Sequence, residues 1–92
     1  MRWTDPALDD LEAIHTYIAA DNPGAAYKVV ARIEEAAANL ETFPEIGRVG
    51  RRKGTRELVV AGLPYFVVYQ LKAGVVEVLR VIHGARDWPR RG

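Results

Sequence analysis

Residues 56–82 decide the fold, and they read RELVV-AGLP-YFVVYQL-KAG-VVEVLRVI. Short stretches with glycine and proline divide this segment into three runs rich in β-branched and aromatic side chains: 56–60, 65–71 and 75–82. Such runs separated by turn residues are typical of consecutive antiparallel strands. The segment therefore predicts a three-stranded meander.

Two helices are predicted before this meander. Asp5-Pro6 is typical of a helix start with Asp5 as the N-cap, and Asn22-Pro23 repeats the same device. Because the turn between the two helices is short, they should form an antiparallel hairpin. Apolar residues follow each start at helical spacing: Leu8, Leu11, Ile14 or His15, and Ile18 in the first helix, and Ala26, Val29, Val30, Ile33, Ala36 or Ala37, and Leu40 in the second.

The remaining segments complete the fold prediction. Residues 1–4 are expected to form a short strand, and Phe43-Pro44 closes the second helix. Residues 45–54 contain three glycines without periodicity and are predicted to be a loop. The order β-α-α-β-β-β predicts an α+β fold, in which the helical hairpin packs on one face of a small, mainly antiparallel sheet. With 92 residues, the chain is predicted to be a single domain over 1–92.

Composition excludes several classes of protein. Hydrophobic residues make up 49% of the chain and charged residues 27%, which is typical of a globular protein rather than a disordered one. Because cysteine is absent, a disulfide scaffold, a thiolate metal site and a catalytic thiol are excluded. His15 and His83 are the only histidines, and His15, on the predicted helix stripe, is expected to be partly buried. We therefore expect no metal and no cofactor.

The N-terminal residues bear on localisation. Residues 1–10 lack the apolar segment of a signal peptide, and no run in the chain has transmembrane length. The expectation is a cytoplasmic protein with no membrane association.

The formal net charge of +1 conceals an asymmetry. Residues 1–47 carry three basic and nine acidic side chains, a net −6, whereas residues 48–92 carry ten basic and three acidic side chains, a net +7. The glycine-containing loop 48–56 holds much of this basic charge. Such an asymmetry favours an anionic target or an acidic partner for the basic half, unless folding interleaves the two signs on one surface.

The last predicted strand is apolar on both faces. One face carries Val75, Glu77, Leu79 and Val81, and the other carries Val76, Val78, Arg80 and Ile82. Because a two-helix hairpin covers only one face of a sheet, the other face needs cover from the C-terminal segment around Trp88 or from another chain.

Candidate chemistry lies at the end of this strand. Arg80, His83 and Arg86 follow one another at close spacing. Arginines suit phosphate recognition and histidine transfers protons near neutral pH, so this set fits cleavage of an RNA phosphodiester. The spacing equally fits a capped strand end with His83 bonded to the backbone. Serine is absent from the chain, which excludes a serine nucleophile.

Five motifs occur in order along nearly the whole chain. Each is loose, but their order and spacing are specific. They are Ala7-x₃-Leu11-x₂-Ile14-x₂-Tyr17-Ile18, Phe43-Pro44-x₂-Gly47-Arg48, Arg56-Glu57-Leu58, Pro64-Tyr65-x-Val67-Val68-Tyr69, and Val78-Leu79-Arg80-Val81-Ile82-His83-Gly84-Ala85-Arg86. With these motifs the chain resembles the RelE/ParE toxins of bacterial type II toxin–antitoxin modules, and within them the ParE-like toxins.

The resemblance implies a β-α-α-β-β-β fold and a partner. That partner is a cognate antitoxin encoded by the adjacent gene, which binds the toxin in a hetero-oligomer through an amphipathic segment. Such a segment would supply cover for the second face of the sheet.

The resemblance also bears on the target. RelE-like toxins are ribosome-dependent mRNA nucleases that place an arginine after the tyrosine of the middle strand and a tyrosine near the C-terminus. Here Phe66 and Trp88 stand at those positions, and indole has no acidic or basic group comparable to a phenol. ParE-like toxins inhibit DNA gyrase by protein contact and need no catalytic residue. The resemblance therefore favours a gyrase inhibitor.

Two alternatives remain open. One is a ribosome-dependent mRNA endoribonuclease that needs no metal and acts through Arg56, Arg80 and His83. The other is a non-toxic or degenerate binding module. Whichever target the chain binds, the residues predicted to contact it are side chains of the basic second half: Arg48, Arg51, Arg52, Arg56, Arg80, His83 and Arg86.

Overall fold

Two helices pack on one mixed five-stranded sheet. The structure, a computed structural model, describes residues 1–84. In the sheet the strand order is β1-β5-β4-β3-β2, with β1 parallel to β5 and all other neighbours antiparallel. The predicted α+β class is thereby confirmed. In chain order the elements are β1 (Arg2–Trp3), α1 (Asp5–Ala19), α2 (Pro23–Ala38), a 3₁₀ turn (Asn39–Glu41), β2 (Arg48–Val49), β3 (Arg56–Val59), β4 (Tyr65–Lys72) and β5 (Val75–His83).

The predicted loop over residues 45–54 contains one element that the sequence did not indicate. Arg48 and Val49 form β2, which pairs with Glu57 and Arg56 of β3. A strand of two residues is too short to show alternation of side chains, so its pattern could not be recognised.

The two helix starts use different caps. Asn22 caps α2 as predicted, because its Oδ1 accepts a hydrogen bond from the amide of Ala25 at 3.0 Å. The prediction that Asp5 caps α1 is wrong: Thr4 is the N-cap, and its Oγ1 accepts from the amide of Ala7 at 3.3 Å. Thr4 Oγ1 also donates to the carbonyl of Leu79 at 3.0 Å, so one hydroxyl both starts α1 and ties it to β5.

The inward face of α1 also differs from the predicted stripe. Ala7 and Leu11 are buried, whereas Leu8 is 48% exposed and His15 is exposed. The expectation of a partly buried His15 is therefore wrong. Small Ala7 points inward, which a search for large apolar residues overlooks. The core between helices and sheet contains Ala7, Leu11, Ile33, Ala37, Leu40, Val60, Tyr65, Val67, Tyr69, Val76, Val78 and Val81.

A register shift in β5 changes which residues share a face. Val68 is paired with Arg80, but the next residue, Tyr69, is paired with Val78, so Leu79 is the extra residue of a β-bulge. The prediction that Leu79 and Val81 share a face, which assumed strict alternation of side chains along the strand, is therefore wrong: Val81 belongs to the core between helices and sheet, and Leu79 packs on the opposite face. The sheet face away from the helices, here called the far face, carries a second cluster made of Phe66, Val68, Leu79 and Ile82.

Within residues 1–84, no helix is long and apolar enough to cross a bilayer. The predicted cover of the far face by the segment around Trp88 lies outside the described residues.

Candidate functional site

The basic loop is held against the sheet by a buried tyrosine. Tyr69 Oη donates to the carbonyl of Pro44 at 2.7 Å and accepts from the amide of Gly47 at 3.0 Å. A β-carbon on Gly47 would lie 2.6 Å from Tyr69 Oη and 3.0 Å from the carbonyl oxygen of Glu57, so the backbone approaches this closely only because residue 47 is glycine. Tyr69 therefore fixes where the loop enters β2.

Arg56, on β3, is hydrogen-bonded to the backbone of the same loop. Its Nη1 donates to the carbonyl of Gly47 at 2.8 Å and to that of Glu45 at 3.3 Å. These bonds satisfy loop carbonyls that lack a strand partner. The structure thus gives Arg56, a residue predicted to bind target or substrate, contacts with the protein's own backbone.

A buried carboxylate organises the arginines that follow. Glu57, 1% exposed, accepts on Oε1 from Arg48 Nε at 3.2 Å and Nη2 at 3.0 Å. Its Oε2 accepts from the backbone amide of Arg51 at 3.0 Å, and Arg51 Nε lies 3.6 Å from Oε1. A buried carboxylate is stable only with such partners, since its desolvation must be offset.

Both guanidinium groups also lie over one aromatic ring. The central carbon of Arg48 is 5.8 Å from the ring centroid of Phe66, and that of Arg51 is 5.4 Å away. This distance is in the range of cation–π attraction. We call the assembly of Arg48, Arg51, Glu57 and Phe66 the arginine platform.

The arginine platform borders a cleft of about 480 Å³ on the far face. Arg48 and Arg51 supply its charge, and about half of each side chain is exposed to solvent. The cleft thus combines fixed positive charge with apolar walls. Its other lining residues are Val59, Leu63, Pro64, Tyr65, Phe66, His83 and Gly84.

Arg80 is bound to α1. Its Nε and Nη2 donate to the two carboxylate oxygens of Asp10 at 2.7 and 3.0 Å, in a fork-to-fork pair. Asp10 Oδ2 also accepts from the backbone amide of Val81 at 2.8 Å, beyond the point where β1 stops pairing with β5. The hydrogen bond that Arg80 donates to Asp10 is the main cause that raises the pKa of Arg80.

His83 lies at the end of β5, beside Tyr65. The two rings meet edge to face, with centroids 5.4 Å apart and planes at 86°. Both residues line the far-face cleft and also a second cleft of about 500 Å³, which includes Asp10, Ile14 and Tyr17 of α1. Burial, and secondarily the charge of Tyr17, raises the pKa of Tyr65 above its ordinary value.

The predicted site residues are thus divided among several places. Arg48, Arg51 and His83 line the same cleft, whereas Arg56 braces the loop and Arg80 is paired with α1. Arg52 is exposed in the turn between β2 and β3. Arg86 lies outside the described residues.

The sequence prediction missed the two acidic residues that hold these arginines. Glu57 gave a usable signal, because a carboxylate inside an apolar strand next to a basic loop needs a cationic partner. Asp10 gave none, since an acidic residue in the first turns of a helix is explained by the helix dipole alone. Within residues 1–84, no group of three or more potential metal ligands comes together.

Comparison with known proteins gives the class of the chain. The fold matches a chain of the solved chromosomal ParDE TA system from P. aeruginosa with a TM-score of 0.81 and 28% identity, over 89% of this chain and 91% of that one. "Putative toxin Y4kP" of Sinorhizobium fredii is 47% identical over 90 residues, which are 98% of this chain and 93% of that protein. "Toxin RelE2" of Caulobacter vibrioides is 42% identical over 84 residues, 91% of this chain and 93% of that protein.

Fold and relatives together define a toxin of the type II toxin–antitoxin class. The family model described as ParE toxin of type II toxin-antitoxin system, parDE, matches residues 1–88. The chain therefore belongs to the ParE toxin family.

Proposed function

We propose that this chain is a toxin that inhibits DNA gyrase by protein contact and thereby arrests growth. The observation that carries the proposal is the position after the middle-strand tyrosine. RelE-like nucleases are expected to have an arginine there, whereas here Phe66 is a buried ring beneath Arg48 and Arg51. A phenyl ring neither binds phosphate nor transfers a proton, but it supports a surface for protein contact.

The contacts of Arg56 and Arg80 support the same proposal. Arg56 donates to loop carbonyls and Arg80 donates to Asp10, so both carry part of the fold. A nuclease would need these guanidinium groups to face the phosphate as charge develops there. An inhibitor that acts by contact has no such requirement.

The proposal includes a partner and a compartment. Membership of the ParE family supports a cognate antitoxin, encoded beside this gene, that neutralises the toxin in a hetero-oligomer. Gyrase acts on cytoplasmic DNA, so we place the toxin in the cytoplasm. Co-purification of the chain with the product of the adjacent reading frame tests the partner, and recovery of the chain alone would contradict it.

A supercoiling assay tests the proposed activity. Purified chain is added to gyrase and relaxed plasmid, and we expect loss of supercoiling together with accumulation of cleaved DNA. Arg48→Ala should need roughly tenfold more protein for the same inhibition, the loss typical of one charge-assisted contact. Lys72→Ala, at the exposed last residue of β4, removes the same charge and serves as the matched control. Full supercoiling at a large excess of the chain would contradict the proposal.

A second candidate is a ribosome-dependent mRNA endoribonuclease. Two observations favour it: a relative that is 42% identical bears the name Toxin RelE2, and His83 lines both clefts. Primer extension on mRNA after induction would then show cuts at fixed codon positions, reduced in His83→Ala. Intact transcripts during growth arrest would exclude this activity. Normal growth on induction without antitoxin would instead favour a degenerate, non-toxic module.

A further inference from the structure

We propose that the cleft between α1 and the end of β5 binds an apolar peptide segment of a partner protein, and that this segment carries lysine or arginine beside its apolar side chains. The cleft has a volume of about 500 Å³, and we call it the helix cleft. The inference goes beyond the proposed function, since neither gyrase inhibition nor RNA cleavage requires such a ligand.

One stripe of α1 forms the first wall of the helix cleft. Positions 10, 13, 14 and 17 are three and four residues apart, so their side chains lie on one face of the helix. These residues are Asp10, Ala13, Ile14 and Tyr17, and the opposite wall consists of Tyr65, Val81 and His83. The ring of Tyr17 is 80% exposed, and exposed tyrosines are frequent anchors of protein interfaces.

Asp10 fixes the distance between the two walls. It accepts two hydrogen bonds from Arg80 and one from the amide of Val81, so α1 is held against the end of β5. The cleft is thereby formed before a ligand arrives, which lowers the entropic cost of binding. Because the charge of Asp10 is already matched by Arg80, it is not counted among the charges offered to a ligand.

The hydroxyl group of Tyr65 offers a polar contact inside the cleft. Tyr65 is only 8% exposed, yet its Oη takes part in no hydrogen bond among residues 1–84, whereas Oη of Tyr69 takes part in two. A buried hydroxyl without a partner costs free energy that an incoming acceptor would recover. A backbone carbonyl of a bound peptide is such an acceptor.

The charge beside the cleft indicates what the peptide carries. Asp9 and Glu12 are exposed and line a hollow on α1 that shares Ala13 and Tyr17 with the cleft. Neither carboxylate forms an ion pair in the described part of the chain, and α1 contains no lysine or arginine. Two negative charges repel the phosphates of a nucleic acid and attract a cationic side chain, which can also lie over the ring of Tyr17.

The test follows the backbone amide resonances of the full chain labelled with ¹⁵N, at pH 8, where histidine is ordinarily neutral. The probe is a pentapeptide with blocked termini that alternates leucine and lysine, and its control replaces both lysines by glutamine. We expect saturable shifts at Ala13, Ile14, Tyr17 and Val81 with the lysine peptide. The glutamine peptide should bind about threefold to tenfold more weakly, as expected for the loss of two exposed ion pairs.

A tyrosine variant tests the polar contact. Tyr65→Phe keeps the ring and removes only the hydroxyl group, and we expect it to weaken binding of the lysine peptide about threefold to tenfold. Tyr27→Phe removes the same group from a tyrosine of α2 that is 75% exposed. This matched control should bind as the unaltered chain does. Equal binding by Tyr65→Phe and the unaltered chain would contradict the contact.

A charge variant tests the role of the two carboxylates. Asp9→Asn combined with Glu12→Gln should abolish the preference for the lysine peptide over the glutamine peptide. Glu34→Gln combined with Glu35→Gln, at exposed positions of α2, is the matched control and should preserve that preference. Because the two peptides are also compared on the unaltered chain, the test stays decisive even if a variant fails to fold.

Five results would overturn the inference. The first three are the absence of saturable shifts at millimolar peptide, equal binding of both peptides to the unaltered chain, and tighter binding of a thymidine pentanucleotide at the same resonances. The fourth is a shift of these resonances on dilution of the free chain together with sedimentation as a dimer, because a second copy would then occupy the cleft. The fifth is a nuclear Overhauser contact between Trp88 and Ile14 in the free chain, because the chain's own end would then fill it.

Discussion

At the residue scale, Arg80 joins the two layers of the fold. Asp10 lies on α1 and Arg80 lies on β5, 70 residues later, yet they form a two-bond pair. The same carboxylate accepts a hydrogen bond from the amide of Val81. It therefore provides an acceptor for β5 beyond Val78, where pairing with β1 ends. An effect of Arg80 on activity is therefore expected to act through the position of α1.

A double-mutant cycle tests this role. Arg80→Ala removes the guanidinium group from Asp10, and Asp10→Ala removes this carboxylate from Arg80. The free energies of unfolding should show a coupling of about 1–3 kcal/mol between the two changes, because charge-assisted bonds in a partly buried site are lost together. Arg80→Ala should also reduce toxicity more than Lys72→Ala. Additive effects on stability would contradict the pairing.

Tyr65 gives a pH prediction. Its pKa is raised in the folded state, so the unfolded chain ionises first as the pH rises past 10. The contribution of the neutral Tyr65 phenol to the free energy of unfolding is fully present below pH 10, and it is lost as the pH rises through the higher pKa of the folded state. Urea unfolding should therefore show a steeper loss of stability above pH 10 for the wild type than for Tyr65→Phe. Parallel pH profiles for the two proteins would contradict the burial of the phenol.

At the element scale, Glu57 holds β2 and the turn after it. Glu57→Gln should lower the free energy of unfolding by about 1–3 kcal/mol, the usual range for hydrogen bonds that involve a charged group. Amide hydrogen exchange of residues 48–51 should become faster, because Arg51 loses a charged acceptor. Glu34→Gln, at an exposed position of α2, is the matched control and should change stability by less than about 0.5 kcal/mol. Unchanged exchange at residues 48–51 would show that another contact holds the loop.

Gly50 and Gly24 differ in the space that each leaves for an added β-carbon. A β-carbon at Gly50 would collide with Thr55 Oγ1 and lie 2.8 Å from the carbonyl oxygen of Thr55. Gly50→Ala should therefore destabilise the protein by about 1–3 kcal/mol. At Gly24 in α2 an added β-carbon would lie 3.6 Å from Asn22 Oδ1, an ordinary van der Waals distance, so Gly24→Ala should stabilise by about 0.5–1 kcal/mol. Equal effects in thermal unfolding would contradict the loop geometry.

The sequence predicted the elements whose signals are local. Asn22-Pro23 marks the start of α2, and the three apolar runs mark β3, β4 and β5, because caps and side-chain periodicity act over a few residues. The bulge at Leu79 could not be predicted, since it depends on how β5 pairs with β4. The site was predicted in part: the basic loop was evident, but the carboxylates that fix its geometry are recognised only once the chain has folded.

At the scale of the whole molecule, the charge asymmetry of the sequence corresponds to a division between the helices and the sheet. The two helices belong to the acidic half of the sequence, and strands β2 to β5 belong to the basic half. Asp10 joins the halves through Arg80, while Arg48 and Arg51 remain about half exposed on the far face. A total charge of only +1 argues against strong nonspecific binding of nucleic acid, which agrees with the proposed protein target.

Induction of the chain in bacteria that lack the antitoxin tests the central claim most directly, with plasmid topology and mRNA 5′ ends measured in the same culture. The proposal predicts that plasmids lose negative supercoiling and that cleaved DNA accumulates as growth stops, while transcripts keep their normal ends. Codon-linked mRNA cuts with unchanged plasmid topology would contradict it.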